Sequence, residues 1–99
     1  MDIQKTKQDQ ALRFVLSGRL DNTTAAPLEA AIQEDIQNIT ELDFDLAGLE
    51  YISSAGLRVI LYAQKIMNKQ GKMTISHANS FIREIFDITG FSDILTLVD

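Results

Sequence analysis

Two adjacent hydroxyls, Ser53 and Ser54, stand where a strand-like stretch gives way to an apolar helical one, and they are the side chains best placed to do chemistry. A hydroxyl at a helix start can cap unpaired backbone N–H groups, or it can serve as a nucleophile or a modification site. The nucleophile reading lacks partners. His77 is the only histidine, and the nearest glycines, Gly48 and Gly56, do not form the Gly-x-Ser-x-Gly elbow of a serine hydrolase. Asp43 and Asp45 project from one face of a strand and could pair as acid and base or hold a cation. Their alternation with Leu42, Phe44 and Leu46 reads more simply as the solvated face of a sheet. Arg58 and Arg83 read as solubilising charges on helices, and His77 as a surface residue beside a strand end.

Composition closes several further routes. With no cysteine and one histidine, the chain offers neither thiolates nor an imidazole pair for zinc, and its five scattered glycines form no phosphate-cradling loop. No metal or cofactor is expected. A net charge of −5, with nine basic residues dispersed along the chain, would repel a phosphate backbone and argues against direct nucleic-acid binding. Apolar runs of a few residues fall far short of the ~20 that span a bilayer, and the N-terminus has no apolar signal region. These features predict a cytoplasmic protein without membrane insertion. The 99 residues, 45% hydrophobic and 23% charged, suit one domain over 1–99 with one core.

The elements that must position the serines follow from periodicity. Residues 2 to 20 read as two strands around a turn at Gln8, Asp9 and Gln10, the second marked by alternating Leu12, Phe14 and Leu16. Thr23 or Thr24 can cap a first helix with Pro27 in its first turn and Leu28, Ala31, Ile32 and Ile36 on its inner face. A strand at Leu42 to Leu46 turns at Gly48. A second helix, apolar from Leu57 to Ala63 except at Arg58, then runs from Ser53 or Ser54 to about Gln70 and ends at Gly71. Met73 to Ser76 forms a strand. Asn79 or Ser80 caps a third helix carrying Phe81, Ile82, Ile85, Phe86 and Ile88, Gly90 ends it, and Ile94 to Val98 is the last strand. The order β-β-α-β-α-β-α-β predicts an α/β mixed sheet with right-handed crossovers, its acidic alternation implying helices mainly on one face. Leu28, Ile32, Phe44, Leu46, Leu57, Leu61, Phe81, Ile85 and Phe86 are the expected core.

Three stretches resemble the STAS domain of bacterial anti-sigma-factor antagonists. They are Gly18-Arg19-Leu20-Asp21 with Thr24, Ala25 and Leu28; the run from Asp45 to Leu57 through Ser53-Ser54-Ala55-Gly56; and Phe86-Asp87-Ile88-Thr89-Gly90-Phe91. With the element order, the resemblance covers essentially the whole chain. It implies a non-enzymatic antagonist that binds an anti-sigma factor with serine kinase activity, is released from it by serine phosphorylation, and is restored by a serine phosphatase. Sigma-factor-dependent transcription would be regulated in this way. The family pattern Asp-Ser-Ser/Thr-Gly-Leu makes Ser54 the acceptor, with Ser53 in place of the aspartate and Ala55 in place of the second hydroxyl. Ser53 stays open as an alternative acceptor or a cap. Asp21, Asn22, Thr24, Ser53, Ala55, Gly56, Leu57 and Arg58 are the implied partner-binding residues, and Asp21 is expected beside the Ser54 helix start. The family's C-terminal helix has no counterpart after the last strand. The departures at Ser53 and Ala55 keep an alternative in view: a non-phosphorylated STAS subunit of a membrane lipid-transport ATPase assembly.

Overall fold

A computed structural model describes residues 1–98. Strand β1 (Asp2–Gln8) pairs antiparallel with β2 (Ala11–Leu20) across a tight turn in which Asp9 takes a φ of 55°. Helix α1 (Ala25–Asp35), β3 (Glu41–Ile52), α2 (Ser54–Gln70), β4 (Lys72–Ser76), α3 (Ser80–Thr89) and β5 (Leu97–Val98) follow. The five strands lie in the order β1-β2-β3-β4-β5, parallel from β2 onward. The mixed sheet and the element order are those the sequence predicts.

The side chains of Leu12, Phe14 and Leu16 on β2, Leu42, Phe44 and Leu46 on β3, and Met73 and Ile75 on β4 share one face of the sheet and one buried cluster. Leu28 and Ile32 of α1, Ile60, Ala63 and Met67 of α2, and Ile82 and Phe86 of α3 complete it. The Phe14 and Phe44 rings stack 5.5 Å apart at its centre. The helices therefore cover a single face, and alternation on the strands delivers apolar residues to that face and polar ones to the other. Lys5 on β1 reaches Asp35 at 2.5 Å and ties the end of α1 to the sheet edge. That pairing raises the Lys5 pKa, and the same bond is the first cause of the lowered Asp35 pKa.

Several boundaries and faces differ from the sequence expectation. Gly48 is not a turn: β3 continues through it to Ile52. Two register shifts against β2, between Val15 and Ser17 and between Gly18 and Arg19, each place one extra residue in β3. A bulge of this kind changes which residues face inward, so the buried positions pass from spacing two (Leu42, Phe44, Leu46) to spacing three (Leu46, Leu49, Ile52). The last strand is also shorter than Ile94 to Val98. The Phe91 carbonyl accepts N–H bonds from Ile94 and Leu95 in a 3-10 turn over Phe91–Asp93, which delays the strand to Leu97. Of the expected core residues, Phe81 is 50% exposed, and Leu61 and Ile85 are only half-buried. Ile82 and Phe86 take the inward face of α3. Both faces of that helix carry large apolar residues, and its periodicity cannot say which one meets the sheet. Gly71 does end α2, but in extended backbone; its role is space, since a Cβ there would lie 2.0 Å from the Thr40 carbonyl oxygen.

Candidate functional site

The C-terminal ends of β2 and β3 bring together the two loops that the sequence singles out. Leu20 pairs with Ile52, and the Ser53 N–H donates to the Leu20 carbonyl at 2.9 Å, joining the residue before Asp21 directly to the residue before Ser54. Both loops therefore open at one end of the sheet. Gly56 lies over the same junction, where a Cβ would sit 2.6 Å from Leu20 Cγ and 3.0 Å from Ile52 Cγ1. Only glycine lets α2 approach the strand ends this closely, which is a physical reason for its place in the Ser53 to Leu57 run.

The paired serines have distinct roles in the local structure. Ser53 is the N-cap, extended at φ −96° and ψ 175°, and its Oγ accepts from the Gly56 N–H at 3.3 Å. Its carbonyl takes the first helical bond, from the Leu57 N–H at 2.9 Å. Ser54 is the first helical residue, and its side chain is exposed. Among the described residues its hydroxyl has no hydrogen-bond partner. The arrangement spends one hydroxyl on capping and leaves the other open to solvent.

On the neighbouring loop Asp21 is an organiser. Its Oδ1 accepts from the Thr23 hydroxyl at 2.7 Å and the Thr23 N–H at 2.9 Å, and these bonds lower its pKa from the ordinary 3.8. The Asp21 N–H donates to Thr24 Oγ1 at 2.8 Å, and Thr24 in turn donates to the Arg19 carbonyl at 2.9 Å. Thr24 occupies the N-cap position of α1 but makes no side-chain cap bond, because its hydroxyl is used by the loop behind it. Asn22 is exposed at the tip.

Of the residues implied in partner binding, Asn22 and Arg58 are exposed, as is the implied acceptor Ser54, and Asp21, Thr24, Ser53 and Ala55 are half-buried. Gly56 and Leu57 are buried and turned inward, so they seat α2 and leave the outer surface to their neighbours. This end also holds a cation–π contact that no local sequence pattern marks. The Arg19 guanidinium lies 4.3 Å from the centre of the Tyr51 ring, with its Nε 3.9 Å from Asp21 Oδ2. Tyr51 reaches Arg19 only through the second bulge of β3, which no local pattern announces.

The open face of the sheet differs from a simply solvated one. Asp45 is only 8% exposed; its Oδ2 accepts from Arg13 at 2.5 Å, and its Oδ1 accepts from the Ala47 N–H at 3.0 Å and lies 3.2 Å from His77 Nδ1. Burial opposes ionisation of Asp45, yet the Ala47, Arg13 and His77 contacts outweigh it and hold the pKa below the ordinary value. Asp43 accepts from Thr74 Oγ1 at 2.6 Å and from Ser76 Oγ at 2.9 Å. The two carboxylates are thus engaged in a cross-strand network, and His77, the sole imidazole, faces Asp45. A concavity of about 430 Å³ lined by Thr6, Arg13, Asp43, Lys72 and Thr74 opens on the N-terminal half of the strands, away from Ser54. Among the described residues no helix is long and apolar enough to cross a membrane.

A one-sided mixed sheet, with a capped helix start and an ordered βα loop side by side at one end, defines an α/β module whose distinctive surface lies at the strand C-termini. The chain belongs to the STAS domain family, whose model matches residues 2–99. It is 33% identical over 101 residues to BtrV of Bordetella bronchiseptica, named as a putative anti-sigma factor antagonist, covering all of this chain and 87% of that one. It is 31% identical over 87 residues to the anti-sigma F factor antagonist of Paenibacillus polymyxa, covering 85% of this chain and 74% of the relative. The fold is also that of the Bacillus anti-sigma factor antagonist SpoIIAA. The unphosphorylated form superposes with a TM-score of 0.80 at 18% identity, covering 99% of this chain and 88% of that one. The phosphorylated form gives 0.78 at 17%, covering 99% and 92%.

Proposed function

We propose that the protein is an anti-sigma-factor antagonist: a non-enzymatic binding module that captures an anti-sigma factor when unmodified and lets it go when Ser54 is phosphorylated. The observation that carries this reading is the division of labour at the start of α2, where Ser53 caps the helix and the exposed Ser54 hydroxyl is left accessible. The antagonist names of its relatives support the same direction, and none of those reported above favours a transport-assembly subunit. The anti-sigma partner would itself be the serine kinase. The Ser54 Oγ would attack the γ-phosphorus of ATP, forming the ester bond as ADP departs and giving up its proton to a base of the kinase. A serine phosphatase would hydrolyse the ester and restore the binding form.

The physical basis of release is charge. Phosphate adds roughly −1.5 to −2 at a contact surface, where a partner would have to desolvate it. A loss of only ~3 kcal/mol weakens binding more than a hundredfold. Because the first turn of a helix tolerates negative charge, the fold survives while the interface does not. Ser54→Asp should therefore keep the melting temperature within a few degrees and weaken capture of the cognate anti-sigma factor in calorimetric titration. Ser54→Ala should bind and resist phosphorylation. Mass-spectrometric mapping of phosphate to Ser53 alone would shift the assignment by one residue, and absence of modification at both serines would remove the switch.

A further inference from the structure

Helix α2 contains no acidic residue anywhere along Ser54–Gln70. The positions three and four away from Arg58 are Ser54, Ala55, Leu61 and Tyr62, so the helix offers this guanidinium no carboxylate. Among the described residues Arg58 makes no ion pair, whereas Lys5, Lys7, Arg13 and Arg19 each face an aspartate. Arg58 and Ser54 are both exposed on the same helix. Residues four apart lie one above the other, with Cβ atoms about 5–6 Å apart. Helical side chains also lean toward the N-terminus, so Arg58 covers the turn that Ser54 begins. Its planar fork matches two oxygens of a phosphate.

We propose that Arg58 is the positioning residue for a phosphate on Ser54, folding it against α2 as an intrahelical pair. The proposal rests on Ser54 being the modified position and deepens that reading: phosphorylation then withdraws a free cation from the surface as well as adding an anion. A partner meets an unpaired arginine on the unmodified chain and a neutralised one on the modified chain. Arg19, the cation of the neighbouring loop, is already engaged by the Tyr51 ring and by Asp21.

The test installs phosphoserine at position 54 by genetic-code expansion, so it needs no kinase, and compares the parent chain with Arg58→Gln, Arg58→Lys and Arg19→Gln. Phosphorus NMR titration should give a second phosphate pKa about 0.3 unit lower in the parent than in Arg58→Gln, the size of an i,i+4 pair. Arg58→Lys should recover part of that shift and Arg19→Gln should leave it intact. The Arg58 Nε–H resonance should move when the phosphate is present. Without phosphate, the parent and the Arg58 variants should melt together, which separates the pairing from a structural role. Equal second pKa values in the parent and Arg58→Gln, with an unmoved Nε–H resonance, would overturn the proposal, as would a shift lost only in Arg19→Gln. Failure of the Ser54 reading looks different: the cognate kinase then leaves the natural serine unmodified, whatever the installed phosphate does.

Discussion

At the level of single residues, the adjacent serines are chemically alike and are told apart by backbone conformation. Ser53 is extended and turns its oxygen back to the Gly56 N–H, while Ser54 is already helical and points outward. Ser53→Ala should therefore cost about 1 kcal/mol through loss of the cap, or roughly 4–8 °C in melting temperature for a chain of this size. It should leave phosphorylation at Ser54 in place. The converse result, an unchanged melting temperature with phosphorylation abolished, would exchange the roles of the two serines. That a serine pair marks a helix start was legible in the sequence, but which one caps depends on where the β3 backbone delivers the chain. Asp45 teaches the same lesson. Period-two alternation set it on the polar face, but its burial comes from Arg13 on the neighbouring strand and His77 beyond the next.

Among the elements, β3 decides the geometry of the site. Its bulges carry the strand past Gly48 and set Tyr51 under Arg19 and Ile52 under Gly56. Alternation along the sequence ends at Leu46, because an inserted residue breaks the pattern that identifies a strand. Helix α2 then packs onto the strand ends through Gly56. Gly56→Ala would gain up to about 1 kcal/mol of helix propensity. The new Cβ, however, must displace the fully buried Leu20, and overpacking of this kind costs about 1–3 kcal/mol. The expected net result is a lower melting temperature together with weaker partner capture, since the helix start is pushed outward. A variant that melts higher than the parent would remove the close-approach explanation.

Over the whole molecule, one buried cluster holds three helices to one face of the sheet. Phe44, fully buried against Phe14, should lose about 3–5 kcal/mol on truncation to alanine, read as a large drop in urea midpoint. Phe81→Ala, although it removes the same side chain, should change stability by no more than about 0.5 kcal/mol, because half of that side chain already meets solvent. Comparable losses for the two variants would mean that Phe81 is covered in solution.

Local periodicity and capping residues were enough to fix the element order, the sheet class, the inward faces of β2 and α1, and the serine pair at a helix start. Each of these depends on residues within a few positions of one another: alternation at period two, apolar spacing of three and four, an Asn79 or Ser53 oxygen three residues before the N–H it accepts. Only tertiary structure decided what depends on distant partners. The length of β3 is set by its pairing with β2, the buried face of α3 by which of two apolar stripes meets the sheet, and the burial of Asp45 by residues 32 positions away in either direction. The site joins both kinds of information: the sequence supplied its residues, and the Leu20 to Ser53 bond between parallel strand ends brings its loops together.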